Sequence, residues 1–200
     1  MKDLRTRRII FSLLAVVVVL AYLLTIKTST RPSPEIQRTF DYIEGLSDSS
    51  IIMVSFDHEA SSVPEIQPIT LAVLRHAFRK NIKIIGLSLF AEGTAIGYRM
   101  LEKTAGEFHK LYGEDYVFLG FKPQHISAIL GMGESIRRVF PEDYAGNKTG
   151  EIPLMQKVDN YEGIAAVISF AEGDRAVQWI EYDGAKYPQR IVGGLTGAMI

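Results

Sequence analysis

Residues 51–90 read IIMVSFDHEASSVPEIQPITLAVLRHAFRKNIKIIGLSLF, and this stretch predicts the fold class of the chain. Two apolar runs, 51–56 and 83–90, have the length and the continuous apolar character of strands that are buried on both faces of a sheet. Between them, residues 68–81 place apolar side chains at helical spacing. A strand, a helix and a second strand in this order predict two parallel strands joined by a helical crossover.

The same alternation continues toward the C-terminus. Three more apolar runs predict strands at 116–121, at 165–170 and from 190 onward. The runs are separated by predicted helices at 94–112, at 125–140 with a break near Gly131, and at 175–187. Residues 46–200 are therefore predicted to form an α/β domain with an open, mainly parallel, Rossmann-like sheet and helices on both faces. The stretch 141–161 predicts a long loop, and long loops of compact domains are often functional.

An uncharged apolar run precedes this domain. Residues 9–26 read IIFSLLAVVVVLAYLLTI and, at about 1.5 Å per residue in a helix, would span about 27 Å of a membrane. A cleavable signal peptide usually has a shorter apolar region of about 7–15 residues and a small-x-small cleavage site. The run is longer and no such site follows it, so we expect a transmembrane helix over 9–26. A basic segment over 1–8 precedes it, and a tether with a first helix follows over 27–45.

The basic residues around the apolar run predict its orientation. Four of them precede it (Lys2, Arg5, Arg7 and Arg8), and three follow it (Lys27, Arg31 and Arg38). The positive-inside rule then places the N-terminus in the cytoplasm and the α/β domain outside it. The stretch 193–200 resembles a turn followed by a helix that has only begun, so we expect the chain to continue past Ile200.

Composition excludes several classes of site. The chain has 22 basic and 23 acidic residues and no cysteine. The absence of cysteine excludes disulfides, thiolate metal sites and cysteine nucleophiles. Because the two signs of charge nearly cancel, the chain lacks the excess of basic residues that is typical of nucleic-acid-binding proteins, and no nucleic acid partner is expected.

Candidate ligand-binding residues follow from the predicted sheet. In open α/β sheets, ligands bind outside the carboxyl ends of the strands. The candidates that follow the strands are Asp57, His58, Glu59, Lys122, His125, Gly193, Gly194, Thr196 and Gly197. Asp57, Lys122 and the turn over 193–197 are expected to border one crevice. A basic side chain beside free backbone N–H groups would suit a small anionic ligand.

A short repeat adds a candidate metal site. The tetrapeptide Phe-Ala-Glu-Gly occurs at 90–93 and again at 170–173. The two glutamates of the repeat and two carboxylates after the first strand could together bind a divalent cation, because hard cations prefer oxygen ligands. The predicted ligands are Asp57, Glu59, Glu92 and Glu172. Alternatively, the phenylalanine ends a strand and the glycine turns the chain into a helix, where an acidic residue near the N-terminus is favoured.

Four stretches carry a resemblance to known proteins: 54–57 (VSFD), 74–80 (LRHAFRK), 116–123 (YVFLGFKP) and 140–146 (FPEDYAG). The chain resembles, from about residue 51 to its end, a family of membrane-anchored bacterial Rossmann-like α/β proteins. The resemblance implies a membrane-anchored domain whose chain continues past the fifth strand. The family has no established activity, so the resemblance implies no catalytic residue.

Two functions remain open at this point. The first is a membrane-anchored binding or assembly module that recognises a small ligand or a protein partner. The second is a metal-assisted hydrolase that would use the four carboxylates named above. The sequence contains no complete catalytic motif, which favours the binding module.

Overall fold

The structure is a computed structural model that describes residues 2–24, 32–184, 186–187 and 190–195. The chain divides into two units, 1–37 and 38–200. The first unit contains helix α1 (Lys2–Leu23). Its segment Leu4–Leu23 has a mean hydropathy of 2.0, and none of it is buried. It is long and apolar enough to cross a membrane, a property that N-terminal signal sequences share.

The bounds of α1 differ from the predicted span. The helix includes the basic segment from Lys2 onward, because helical structure does not require apolar side chains. The last two residues of the predicted span, Thr25 and Ile26, lie outside the described residues.

The second unit is built on five parallel strands. They are β1 (Ile51–Asp57), β2 (Lys83–Ser88), β3 (Tyr116–Phe121), β4 (Ala166–Ala171) and β5 (Arg190–Leu195). Their spatial order is β3-β2-β1-β4-β5, and every pairing is parallel. The predicted parallel α/β sheet is thus confirmed. The chain builds the sheet outward from β1 on one side and then crosses to β4 on the other, so the topological switch point lies between β1 and β4.

Helices cover both faces of the sheet. They are α2 (Pro34–Gly45), α3 (Val63–Arg79), α4 (Ala91–Glu107), α5 (His125–Met132), α6 (Ile136–Val139), α7 (Pro153–Gln156) and α8 (Arg175–Trp179). Two apolar cores lie on the two faces of the sheet, and alternate side chains of β1 pack into one or the other. Val54 and Phe56 pack with side chains of α2, α3 and α4, whereas Met53 packs with side chains of α5 to α8. Side chains two residues apart on a strand share a face, so Ser55 and Asp57 lie on the face that α8 covers.

Three helices have bounds that differ from the prediction. Helix α3 starts at Val63, with Pro64 in its first turn, where a missing N–H costs little. Helix α4 ends at Glu107, shortly before His109 takes a left-handed conformation (φ 53°). Helix α8 ends at Trp179 and continues as a π-helical turn over 180–184. The predicted break near Gly131 is confirmed, since α5 ends at Met132 and α6 begins at Ile136.

Candidate functional site

Asp57 ends the central strand and is almost completely buried, with 1% of its surface exposed. Its Oδ1 accepts a hydrogen bond from the backbone N–H of Leu89, at 2.7 Å. Its Oδ2 accepts three more, from Ser55 Oγ (2.6 Å), Ser169 Oγ (3.2 Å) and Trp179 Nε1 (3.2 Å). The donors come from β1, from the residue after β2, from β4 and from α8, so this carboxyl group joins four elements of the domain.

Burial and hydrogen bonding shift the pKa of Asp57 in opposite directions. The pKa of Asp57 lies above its ordinary value, because burial raises it by more than the hydrogen bonds lower it. The four donors nevertheless hold both carboxyl oxygens in place. Four donors match the acceptor capacity of a carboxylate, so Asp57 is suited to shaping a site rather than to binding an ion through both oxygens.

A crevice of about 230 Å³ opens beside Asp57. Its lining consists of Asp57, Glu59, Phe90, Glu172, Gly173, Asp174 and Arg175. These residues end β1 or follow β1, β2 and β4, so the crevice lies at the topological switch point, where open α/β sheets bind their ligands. Pockets for drug-sized ligands usually measure about 300–1,000 Å³, so a ligand of this crevice would be small.

The lining is mostly acidic, with one cation. Four carboxyl groups and the guanidinium of Arg175 surround the crevice. The Nη1 of Arg175 donates to His125 Nε2 at 3.1 Å and to Gln178 Oε1 at 3.0 Å, and it lies 3.5 Å from Asp174 Oδ1. Two other atoms, Glu172 Oε2 and Arg175 Nε, are buried without a hydrogen-bond partner among the described residues. A buried polar atom without a hydrogen-bond partner destabilises the folded state. Binding of a ligand that supplies such partners would therefore favour reorientation of the Glu172 and Arg175 side chains.

The two Phe-Ala-Glu-Gly sequences have different structures. In the first, Gly93 lies inside α4, where an added Cβ would come within 2.1 Å of the Phe56 carbonyl oxygen. In the second, Gly173 lies in the loop before α8 with φ 72°, and an added Cβ would meet nothing within 4 Å. The first glycine permits a close approach of helix and strand, and the second permits a left-handed turn. The repeat is therefore not a structural duplication.

The predicted cation site is not assembled. Among the residues that the structure describes, no three His, Asp or Glu side chains are grouped closely enough to hold a metal ion. Asp57, Glu59 and Glu172 border the crevice, but Glu92 is exposed on the first turn of α4 and does not line it. The physical reason is that Glu92 sits on a helix that leaves the sheet, whereas Glu172 is held in a loop beside β1.

Lys122 does not join Asp57. It lines a separate hollow of about 330 Å³ with Phe140, Pro141 and Tyr144 among its neighbours, and its Nζ lies 5.6 Å from the centre of the Phe140 ring. Lys122 follows β3, an outer strand of the sheet, and β2 separates β3 from β1. Neighbouring strands are about 4.8 Å apart, so the ends of β1 and β3 are about 10 Å apart although they lie on the same edge.

The remaining candidates are distributed around the crevice. His125 does not line it but contacts it through Arg175. His58 is fully buried, and its Nδ1 lies 3.2 Å from the Glu59 carbonyl oxygen. Gly193 and Gly194 belong to β5 itself rather than to a turn after it. Thr196 and Gly197 lie outside the described residues, so their predicted contact with an anion stays a prediction.

Arg175, Asp174 and Phe90 line the crevice but were not among the candidate residues named from the sequence. A signal for the centre of the site was nevertheless present. Ser55 and Ser169 are polar residues within otherwise apolar strands, each one residue before a phenylalanine. They are paired in register on β1 and β4, and both donate to Asp57. Two serines at matching positions of buried strands predict a shared buried acceptor, because a buried hydroxyl needs a partner.

No family model matches this chain, and neither do the curated proteins or the solved structures. The fold assignment therefore rests on the sheet itself, and the resemblance to a bacterial membrane-anchored family stays a prediction.

Proposed function

We propose that this chain is a membrane-anchored binding module whose α/β domain takes a small polar ligand in the crevice beside Asp57. The observation that supports the proposal is that three features occur together in this crevice. The crevice lies at the switch point of the sheet, it is lined by charged groups of both signs, and its wall contains buried polar atoms without partners among the described residues.

Two observations support binding as the leading proposal. The titratable side chains of the crevice are four carboxyl groups and one guanidinium, so a nucleophile or general base there could only be a carboxylate. The carboxyl group of Asp57 is occupied by four donors. The metal-assisted hydrolase gains no support from the described residues, since they form no metal-binding group.

The charges of the crevice indicate what a ligand must offer. Donor groups of the ligand would meet the carboxylates of Glu59, Glu172 and Asp174, and an acceptor would meet the guanidinium of Arg175. A small anion, as predicted from the sequence, would depend on Arg175 alone. A protein partner that inserts one polar side chain would satisfy the same groups.

We propose further that α1 is an uncleaved anchor with the N-terminus in the cytoplasm and the domain outside it. The length and hydropathy of Leu4–Leu23 support a span. The cluster of Arg5, Arg7 and Arg8 at its start supports the orientation.

A thermal-shift screen of the full chain in detergent tests ligand binding. Probes are inorganic phosphate, nucleotides, phosphorylated sugars, amino acids, neutral sugars and divalent cations, and the detergent should lack a sugar headgroup. A ligand at 100 times its dissociation constant stabilises the folded state by about 2.7 kcal/mol, which is a shift of several degrees.

Variants locate the binding. We expect the shift to be lost in Glu172→Gln or Arg175→Met and kept in Lys122→Met, because Lys122 lines the other hollow. A shift that only Lys122→Met abolishes would move the site to that hollow. No shift with any probe would contradict the proposed small-molecule site.

A further inference from the structure

The contact between His125 and Arg175 determines the protonation state of the imidazole. His125 begins α5 and Arg175 begins α8, and Arg175 Nη1 lies 3.1 Å from His125 Nε2. A guanidinium has five N–H donors and no acceptor. The Nε2 atom must therefore accept the hydrogen bond, which leaves the ring proton on Nδ1 and the imidazole neutral.

We propose that His125 and Arg175 form a pH-sensitive latch at the crevice, closed when His125 is neutral and open when it is protonated. Protonation places a hydrogen on Nε2 and a positive charge on the ring. The donor of Arg175 then faces another donor, and two cations face each other at hydrogen-bond distance. Both effects oppose the contact, so acidification releases the guanidinium from His125, and its rotation then exchanges the remaining bond to Gln178 Oε1 (3.0 Å) for a carboxylate partner.

Partners for the released guanidinium are already present on the crevice wall. Glu172 Oε2 is buried and has no partner among the described residues, and the same holds for Arg175 Nε. Asp174 Oδ1 lies 3.5 Å from Arg175 Nη1. Rotation of Arg175 toward Glu172 would satisfy both atoms with one charged pair. The open latch thus neutralises a carboxylate of the crevice, and the closed latch leaves that carboxylate available to a ligand.

The groups around His125 determine the direction in which its pKa is shifted. Burial of the ring and the charge of Arg175 lower the pKa of His125, while Asp174 and Asp57 raise it by less. The pKa of His125 therefore lies below its ordinary value of 6.5. The latch is closed at neutral pH, and the folded state loses part of its stability as pH falls through this range, because the neutral form is favoured only when the chain is folded.

Trp179 supplies a reporter for this movement. It is the only tryptophan of the chain, it is buried, and it lies four residues after Arg175 at the end of α8. Residues four apart on a helix are neighbours. Movement of the Arg175 charge should therefore shift the emission of the indole.

The experiment is a fluorescence titration of the full chain in detergent between about pH 8 and pH 5, the range in which histidine titrates. Far-UV circular dichroism follows the fold in parallel. We expect one emission change with a midpoint below 6.5 in the wild type. It should be absent in His125→Gln, whose amide oxygen accepts from Arg175 but does not titrate. It should persist in the control His109→Asn, because His109 is exposed and Asn suits its left-handed backbone.

Nitrogen-15 NMR of the histidine side chains gives an independent readout. We expect His125 to carry its proton on Nδ1 at neutral pH. In Arg175→Met, its titration should persist with a higher midpoint, because the neighbouring cation is gone, while the emission change disappears. A proton on Nε2 at neutral pH, an emission change that survives in His125→Gln, or no change in a wild-type chain that stays folded would each overturn the proposal. These readouts need no ligand, so they are independent of whether the proposed binding function holds.

Discussion

At the scale of single residues, Asp57 shows how one polar side chain can organise an apolar sheet. Its carboxyl group gathers donors from two neighbouring strands, from the end of a third strand and from a helix. Each of these donors would otherwise be a buried polar group without an acceptor, which costs about 1–3 kcal/mol apiece. Asp57 thereby positions the walls of the crevice, so its first effect on function is through geometry.

The substitution Asp57→Asn tests this role. The amide replaces one acceptor oxygen with an NH2 group that must face donors, so at least one donor loses its partner. We expect the free energy of unfolding to fall by about 1–3 kcal/mol or more, measured by urea titration. The control Asp48→Asn lies in an exposed turn and should change stability by less than about 0.5 kcal/mol. Equal effects of the two substitutions would contradict the role of Asp57.

Asp143 provides a pH-dependent prediction. It is buried, its Oδ2 accepts from the Tyr112 hydroxyl at 2.6 Å, and its Oδ1 accepts from the N–H groups of Ala145 and Asn147. Burial alone would raise the pKa of Asp143, but the hydrogen bonds together hold it below its ordinary value of 3.8. Because the folded pKa is lower than the unfolded one, the stability from this group is present above the unfolded pKa and is lost as pH falls.

We therefore expect Asp143→Asn to destabilise the domain most at neutral pH. The difference in unfolding free energy from the wild type should shrink as pH is lowered from about 6 to about 3, measured by urea titration at each pH. A difference that is constant or grows on acidification would contradict the ionised state of Asp143.

At the scale of elements, the docking of α4 on β1 sets one wall of the crevice. Phe90, which lines the crevice, immediately precedes α4, and Gly93 in the first turn of the helix approaches the Phe56 backbone. An added Cβ would lie 2.1 Å from the Phe56 carbonyl oxygen, and a backbone atom cannot move aside as a flexible side chain can. The close approach is therefore possible only with glycine at this position.

Two glycines of α4 give a matched pair for testing this contact. Gly93→Ala should destabilise the domain by at least about 1–3 kcal/mol, the usual cost of overpacking. Gly106→Ala meets nothing within 4 Å and should stabilise the helix by up to about 0.5–1 kcal/mol, since alanine loses less entropy than glycine. Thermal and urea unfolding of both variants measure the difference. Equal stability changes would show that α4 is not tightly docked on β1.

At the scale of the whole molecule, the proposed anchor would determine where the proposed crevice binds its ligand. If α1 stays attached to the chain, every copy of the domain is held near the membrane surface. With the proposed orientation, the crevice would meet ligands outside the cytoplasm. The proposed pH-sensitive latch would make the crevice respond to the acidity of that compartment.

A reporter fused after Ile200 tests the orientation. We expect activity outside the cytoplasm, because the basic cluster Arg5, Arg7 and Arg8 precedes the apolar run. The mass of the purified chain tests the anchor, since an uncleaved helix keeps residues 1–26. Reversal of the orientation in a variant with these three arginines changed to glutamine would support the charge argument. Cytoplasmic activity of the wild-type fusion, or a chain shortened at its N-terminus, would contradict the proposal.

The positions of the strands, the α/β class and the apolar N-terminal helix could be predicted from local sequence patterns. These properties follow from the local spacing and continuity of apolar residues, which a chain carries before it folds. Strand β3, at 116–121, has the predicted bounds. Asp57 was also recognisable, because it directly follows the run IIMVSF that forms the central strand.

Which strand ends share a crevice depends on the order of the strands in the folded sheet. The sequence places every parallel strand end on one edge but does not state the order of the strands, which depends on long-range pairing. That order puts β3 outermost, so Lys122 lines a different hollow from Asp57. It puts β4 beside β1, so Glu172 and Arg175 meet Asp57 across more than 110 residues of chain. The chemistry of the crevice therefore depends on pairing between distant segments, which local patterns do not encode.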